Sequence, residues 1–145
     1  MKNQAVFGSM RAAGAVLATV LLSSPLWADE LTDSNSLLCY GWSASVCRIE
    51  GECEMTSPWQ LNMPDFLRID LRAAVATTTE TAPEERETEI QTLEREDGTI
   101  VLQGRQSERA FSWVISEATG EGTLTMSTRG EGITIFTVCT PTENL

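Results

Sequence analysis

The chain has 145 residues, a net charge of −11 at neutral pH and an isoelectric point near 4.3, and it contains no histidine. Such an acidic chain is poorly suited to binding nucleic acid, because phosphate groups attract lysine and arginine. The only lysine is Lys2, so imidazole-dependent catalysis and Schiff-base lysine chemistry are both excluded beyond that position. Metal sites built on imidazole are excluded by the same composition.

The first 28 residues have the pattern of a secretory signal peptide. Lys2 and Arg11 give a positive start, and Ala12–Leu22 is an uncharged apolar run, shorter than the roughly 20 residues of a transmembrane helix. Ala28 offers a small residue at the cleavage position. We therefore predict cleavage after Ala28, a periplasmic or secreted location, and no membrane insertion of the mature chain. An uncleaved membrane anchor is the alternative.

The mature chain is long enough for one domain with a single hydrophobic core. We assign residues 29–145 to this domain and about 37–141 to its core. Eight arginines and all 21 acidic residues lie after Ala28, which gives this part a net charge of −13. That charge favours solubility, would attract a basic partner, and opposes binding to anionic membrane surfaces.

Four cysteines, Cys39, Cys47, Cys53 and Cys139, lie in the mature chain. An even number of cysteines in an exported domain indicates two disulfides. A zinc site with four thiolate ligands is the alternative, but the short C-x2-C and C-x4-C spacings are missing. Of the three possible pairings we favour Cys47–Cys53, across a hairpin centred on Glu50, and Cys39–Cys139, between the first and last strands.

Turn signals divide the second half of the chain at regular intervals. They are Asp97-Gly98, Gly104, Thr119-Gly120 with Gly122, and Gly130 with Gly132. Short strands separated by glycine turns are typical of an antiparallel sandwich or barrel. The Asp-Gly pair favours a type I′ turn and would join a strand over Thr88–Arg95 to one over Thr99–Gly104. The threonine-rich, acidic stretch Thr77–Arg86 is interpreted as a long exposed hairpin loop.

Alternation of apolar and polar residues identifies the inward-facing side chains of several strands. These are Leu67, Ile69 and Leu71, then Phe111, Trp113 and Ile115, then Leu124 and Met126. The last predicted strand, Ile133–Thr140, is apolar on both faces, which indicates a strand that is covered on both sides or that faces a ligand. We predict an all-β, disulfide-bonded fold, a small antiparallel meander barrel of about eight strands, with a β-sandwich as the alternative. Barrel closure would remove exposed strand edges.

No catalytic residue, metal site or cofactor is predicted. The carboxylates lie mostly in turns or on outward strand faces, and Glu94–Gly98 lacks the spacing of a calcium loop. A carboxylate hydrolase is the weakest hypothesis, because a chain this short leaves little room for a sugar cleft.

Candidate binding residues are Trp42, Trp59, Trp113 and Arg109, because aromatic side chains commonly line ligand pockets. Trp113 is also explained as a core residue. Trp42 and Trp59, near strand ends, would either cap the barrel mouth or plug its bottom. Arg109 precedes the strand that carries Trp113, and a surface salt bridge explains it equally well.

Three segments resemble a group of small exported proteobacterial β-proteins that has no known activity. They are Trp59–Phe66, Arg109–Ile115 with Glu117 and Thr119-Gly120, and Cys139-Thr140-Pro141. The resemblance covers most of residues 39–141 and is poorest over 73–86. Thr137-Val138 stands where that group has a glycine shortly before the final cysteine. The resemblance implies export and a shared fold, and no site residue follows from it.

The sequence leaves two functions in competition. The leading hypothesis is a non-enzymatic periplasmic or secreted binding or accessory protein, with a small apolar ligand or an envelope protein as partner. The alternative is a proteinaceous inhibitor of a basic secreted hydrolase such as lysozyme, since charge complementarity would favour that pairing. The likeness to lysozyme inhibitors is one of architecture, without their loop motifs. A deep pocket inside the sheet favours ligand binding, and a filled interior with a conspicuous surface loop favours a protein partner.

Overall fold

The computed structural model describes residues 31–142, and the predicted signal peptide over 1–28 lies outside them. The described chain forms ten strands and one short 3-10 turn over Pro58–Leu61. The strands are β1 (Ser36–Arg48), β2 (Glu54–Thr56), β3 (Phe66–Asp70), β4 (Val75–Thr78), β5 (Glu87–Glu89), β6 (Thr92–Glu96), β7 (Thr99–Gln106), β8 (Arg109–Ser116), β9 (Glu121–Thr128) and β10 (Glu131–Pro141). No helix in this part of the chain is long and apolar enough to cross a membrane.

Nine strands form one curled antiparallel sheet in the order β5-β4-β3-β1-β10-β9-β8-β7-β6, and β2 pairs separately with β1. Its two outermost strands, β5 and β6, are consecutive in the chain and are separated only by Ile90 and Gln91. The backbone N–H of Gln91 donates to the carbonyl of Gln103 in β7 at 2.8 Å, which extends the β6–β7 pairing up to the short link from β5. The predicted antiparallel all-β fold is confirmed: nine strands form a single curled sheet, a half-barrel, instead of the two packed layers of a sandwich.

Both disulfides follow from the strand pairing. Cys39 lies directly opposite Cys139 in the β1–β10 ladder, and the two are bonded. Cys47 is bonded to Cys53 across the turn of the β1–β2 hairpin. This is the pairing that the sequence favoured.

The core lies inside the curl of the sheet and is built from the alternating residues of each strand. Ile69, Trp113 and Ile115 are buried, as period-two alternation predicts. The indole N–H of Trp113 donates to the hydroxyl of Thr137 at 3.0 Å, so its polar atom is satisfied inside the core. The other buried apolar side chains include Leu31, Leu37, Ala44, Val46, Ile100, Leu102, Leu124 and Ile135.

The Asp97-Gly98 hairpin is confirmed, between strands Thr92–Glu96 and Thr99–Gln106 instead of Thr88–Arg95 and Thr99–Gly104. Both residues have positive φ, 51° and 73°, as a type I′ turn requires. The strand before the turn begins at Thr92 instead of Thr88, because Glu87–Glu89 pairs with β4 on the other side of the closure. The predicted loop over Thr77–Arg86 is likewise shorter than expected, since β4 extends to Thr78.

Residues 31–35 close one end of the barrel, and we call them the N-terminal plug. Leu31 is fully buried, and its N–H donates to the carbonyl of Glu117 at 2.8 Å. Arg95, on the inner face of β6, donates to the carbonyls of Leu31 and Ser34 at 2.5 and 2.9 Å, and to the carboxylate of Glu117. A partly buried guanidinium therefore ties the plug to β6 and to the residue that follows β8.

The outer face of β10 is only partly covered within residues 31–142. Phe136 and Val138 are partly exposed there, and Trp42 packs against Phe136 with ring centroids 5.7 Å apart. Within the described residues this strand is therefore covered on its inner face and only partly on its outer face, and the alternative, that the outer face meets a ligand, stays a prediction.

Candidate functional site

A cavity of about 80 Å³ opens at the end of the barrel opposite the N-terminal plug. The direction of β8 defines the two ends, since this strand begins at Arg109 beside the cavity and ends at Ser116 beside the plug. The residues that line the cavity are Met63, Pro64, Leu67, Ala76, Thr78, Arg86, Thr88, Gln106, Arg109, Phe111, Trp113, Leu124 and Met126. A volume of this size holds several water molecules or a short apolar group.

One wall of the cavity is the inner face of β8 and β9. Arg109, Phe111 and Trp113 are at alternate positions of β8, so their side chains lie on the same face. A Cβ atom at position 104 would lie 2.7 Å from the ring of Phe111 and 2.8 Å from the carbonyl oxygen of Glu89. Gly104 is therefore not the turn residue that the sequence suggested, because it lies within β7 and leaves room for this ring.

The facing wall is built from small side chains, which is why the barrel interior is not filled here. Ala76 of β4 pairs in register with Thr88 of β5, and both face inward with Thr78. Three small residues opposite the aromatic ring of Phe111 leave unoccupied volume between the walls. The cavity is thus a consequence of residue size on two short strands.

The rim of the cavity is formed by the loop that follows the 3-10 turn. Asn62 ends this turn in the left-handed conformation, with φ 56°, and directs the chain back so that Met63 and Pro64 reach the opening. The guanidinium of Arg86 donates to the carbonyl of Asn62 at 2.8 Å and holds the loop against the segment before β5. Two parts of the chain that are distant in sequence therefore meet at the mouth.

The charges around the cavity are opposite in sign to those of the whole chain. None of its lining residues is acidic, and two are arginines. Arg86 is paired with Glu84 at 2.8 Å, whereas Arg109 is exposed and makes no ion pair with any residue of 31–142. The cavity is therefore apolar inside, with a cationic mouth.

Two of the four predicted binding residues lie on this cavity, and two do not. Trp113 is 2% exposed and forms part of the inner wall, and Arg109 lies at the mouth. Trp42 is 60% exposed on the outer face of β1, and Trp59 is 65% exposed in the 3-10 turn. Neither of these tryptophans plugs the barrel bottom, because the N-terminal plug occupies that end.

Sequence reasoning did not find Met63, Arg86 and Thr88 as cavity residues. Met63 and Arg86 come from loops, where no periodicity indicates which way a side chain points. Thr88 is on a three-residue strand, too short to show alternation. The alternation in β8 does place Phe111 beside Trp113, so one wall of the cavity was recognisable in advance.

Two further surface features stand apart from the cavity. A wider, more open depression of about 460 Å³ lies on the outer sheet face, between Trp42, Val114 and Phe136. The loop closed by the Cys47–Cys53 disulfide presents Ile49, which is 86% exposed. Within residues 31–142, no three potential ligand side chains of the types His, Cys, Asp and Glu lie close enough to hold a metal ion.

The fold and the cavity define this chain as a small, disulfide-bonded, antiparallel β-protein with an apolar pocket at one end of a curled sheet. Comparisons with protein families, with curated proteins and with solved structures found no significant match. The function is therefore argued from the geometry of the chain itself.

Proposed function

We propose that this protein binds a small apolar molecule in the cavity between β4–β5 and β8–β9, as a non-enzymatic periplasmic or secreted binding protein. The observation that carries the proposal is the cavity itself, an opening into the apolar interior whose wall includes Phe111, Trp113 and Met126. Ligand pockets are typically concave and apolar with a few polar groups at defined positions. The thirteen lining residues have this composition, with the polar groups at the rim.

The expected affinity follows from the size of the cavity. Each methylene group that leaves water contributes about 0.8 kcal/mol, so a ligand that buries about three carbons in a cavity of this size gains roughly 2–3 kcal/mol. Part of this gain is lost to the restricted motion of the bound ligand. Short aliphatic molecules should therefore bind only at millimolar concentration or above, and larger ones more tightly where they extend over the rim.

The test uses the indole N–H resonance of Trp113 in a ¹H–¹⁵N spectrum of the mature protein, because the side chain of Trp113 lies on the cavity wall and its N–H reports changes in the ring's surroundings. Titration with 1-octanol should shift this resonance in a saturable manner and leave the exposed indoles of Trp42 and Trp59 in place. Ala76→Phe should fill the cavity and abolish the shift. The same substitution at Ala110, on the exposed outer face of β8, is the matched control and should leave binding unchanged.

A result in which Ala76→Phe and Ala110→Phe both bind octanol as the unsubstituted protein does would contradict the proposal. An unchanged Trp113 resonance at saturating octanol would also contradict it. The second measurement is independent of any effect of substitution on folding.

The proposed location rests on two features. The pattern of residues 1–28 is that of a signal peptide, and both disulfides fit an oxidising compartment, because thiols stay reduced in the bacterial cytosol. Intact-mass analysis of the protein from cell fractions should find a chain that begins at Asp29 and has no free thiols. A full-length chain with four alkylatable cysteines in the cytosol would contradict export.

A second candidate function, inhibition of a basic hydrolase such as lysozyme, is favoured by the disulfide-closed loop. Ile49 protrudes there between Arg48 and Glu50, and Glu52 is also exposed. The disulfide keeps the loop in one conformation, which lowers the entropy lost on binding. Arg48 is paired with Glu54 and Glu131, and the hydrogen bond to Glu54 is the main reason that the pKa of this guanidinium is raised.

Lysozyme activity in the presence of the mature protein at low salt tests this second candidate. Inhibition should weaken in Ile49→Ser and should persist in the control Ile90→Val, which changes a buried isoleucine outside the loop. Undiminished lysozyme activity at a large molar excess of the protein would exclude it.

A further inference from the structure

We infer that the ligand of the cavity is an anionic amphiphile, a short apolar chain ending in a carboxylate or a similar oxyanion, and that Arg109 binds its charged end. The inference rests on the proposed function, since it names the ligand class of the same cavity. The charged residues at the mouth of the cavity are what indicates an anionic ligand.

The distribution of charge is the first argument. The chain carries 21 acidic residues, yet none of them lines the cavity, while two of its ten basic residues do. Arg109 and Arg86 both border a space whose deeper wall consists of apolar side chains. A ligand that satisfies both regions has an apolar tail and an anionic end, because guanidinium groups form strong paired hydrogen bonds with oxyanions.

The availability of the two guanidinium groups is the second argument. Arg86 already donates to Glu84 and to the carbonyl of Asn62, so its charge is largely compensated. Arg109 is exposed, and no carboxylate of residues 31–142 lies within ion-pair distance of it. Its position two residues before Phe111, on the same side of β8, places it where a tail packed on Phe111 ends.

The net charge of the protein opposes an anionic ligand, and the range of this repulsion decides the balance. At physiological ionic strength charges are screened beyond about 8 Å, so carboxylates on distant outer faces act only weakly at the mouth. Of the nearer carboxylates, Glu84 is paired with Arg86, and Glu108 precedes Arg109 in the chain without forming an ion pair with it. A guanidinium in direct contact with an oxyanion is screened much less. Arg109 therefore outweighs the diffuse negative charge.

Octanoate and 1-octanol provide a matched pair of probes, because they share an eight-carbon chain and octanoate is ionised at pH 7.5. Both are titrated into the mature protein, with the indole N–H resonance of Trp113 as readout. Octanoate should bind about fivefold more tightly than octanol, and Arg109→Gln should remove most of this difference. In 1 M NaCl the preference of the unsubstituted protein should shrink as well.

Two further variants test whether Arg109 is the residue that binds the charged end of the ligand. Arg72→Gln removes an exposed arginine in the β3–β4 turn, which lies at the plug end of the barrel, and should leave the octanoate preference intact. Glu84→Gln removes the partner of Arg86 and should increase octanoate affinity about twofold, because a second guanidinium becomes uncompensated.

The results of these titrations distinguish failure of the anionic-ligand inference from failure of the proposed binding function. If octanol and octanoate bind equally in the unsubstituted protein, or if Arg109→Gln and Arg72→Gln reduce the preference equally, the inference is wrong and the proposed function stands. If neither probe shifts the Trp113 resonance, the proposed function fails and the inference falls with it.

Discussion

Trp113 lines the cavity and also donates a buried hydrogen bond to Thr137. Both side chains are buried, at 2% and 4% exposure, and the bond crosses the barrel interior from β8 to β10. Removal of the acceptor leaves a buried indole N–H without a partner, which costs more than an ordinary hydrogen bond contributes.

Thr137→Val should therefore lower the free energy of unfolding by about 1–3 kcal/mol, although it preserves the shape of the side chain. Thr125→Val is the matched control, since the hydroxyl of Thr125 donates to a backbone carbonyl on the exposed outer face. The control should change stability by less than about 0.5 kcal/mol. Urea denaturation followed by near-ultraviolet circular dichroism measures both variants, and equal effects would show that the indole is not dependent on Thr137.

Gly120 occupies a position that no other residue fits, and the reason is specific to this turn. Its φ is +71°, and a Cβ atom there would collide with the backbone carbonyl oxygen of Cys139. The N–H of Cys139 in turn donates to the carbonyl of Gly120 at 2.8 Å, so the two backbones cannot separate without losing that bond.

Gly120→Ala should lower the free energy of unfolding by about 3 kcal/mol or more, because backbone strain and steric overlap act together. Gly51→Ala is the control, since Gly51 lies in a turn with no atom near the position of the added Cβ. Thermal unfolding of the two variants compares them directly. A melting temperature for Gly120→Ala within one degree of that for Gly51→Ala would contradict the account.

At the level of single elements, the sequence predicts strands well wherever alternation extends over a full strand. Leu67, Ile69 and Leu71 are on the inner face because each alternates with a charged residue, and this information is local. Asp97-Gly98 determines a hairpin by its backbone preferences alone. The division of one predicted strand into β5 and β6 was not foreseeable, because it depends on which neighbours the two halves meet across the closure.

The cavity was less predictable than the strands because it depends on pairs of facing residues. Ala76 and Thr88 are unremarkable small residues until the register places them side by side opposite Phe111. The cationic mouth likewise depends on Arg86, in a loop, lying near the start of β8. Alternation identified Trp113 and proximity identified Arg109, and neither principle indicates the empty space between the walls.

The N-terminal plug is the element whose attachment depends most on a single ion pair. The side chains of Arg95 and Glu117 are 27% and 11% exposed, so their attraction is screened less than that of surface pairs. Arg95 also satisfies two plug carbonyls, and loss of Glu117 leaves its remaining charge partly buried without a counter-ion.

Glu117→Gln should therefore lower the free energy of unfolding by about 1–3 kcal/mol and should increase amide exchange at Leu31 and Ser34 more than elsewhere. Glu54→Gln is the control, because its pair with Arg48 is more than half exposed and should contribute little to stability. Hydrogen exchange measured by mass spectrometry resolves the two effects. If the amides of residues 31–34 exchange as slowly in Glu117→Gln as in the unsubstituted protein, packing of Leu31 alone holds the plug.

For the whole molecule, the two disulfides should make unequal contributions, because their loops differ in length. Cys39 and Cys139 are 100 residues apart, whereas Cys47 and Cys53 are six residues apart. In the chain-entropy model the long loop contributes about 4–5 kcal/mol and the short loop about 2 kcal/mol, since a cross-link restricts the unfolded chain more when it closes a longer loop. The long-range bond also joins the first and last strands of the sheet, whose pairing has the largest sequence separation in the fold.

The double substitution of Cys39 and Cys139 to alanine should therefore lower the free energy of unfolding by at least about 2 kcal/mol more than the same double substitution of Cys47 and Cys53. Alanine is used because Cys39 and Cys139 are buried, so a serine hydroxyl there would need a partner. Urea denaturation of both variants measures the difference, and the slope of free energy against urea should rise as the cross-link is lost, because the unfolded chain then exposes more surface. Equal destabilisation by the two substitutions, with unchanged slopes, would show that local strand geometry determines the contribution of each bond and that loop length does not.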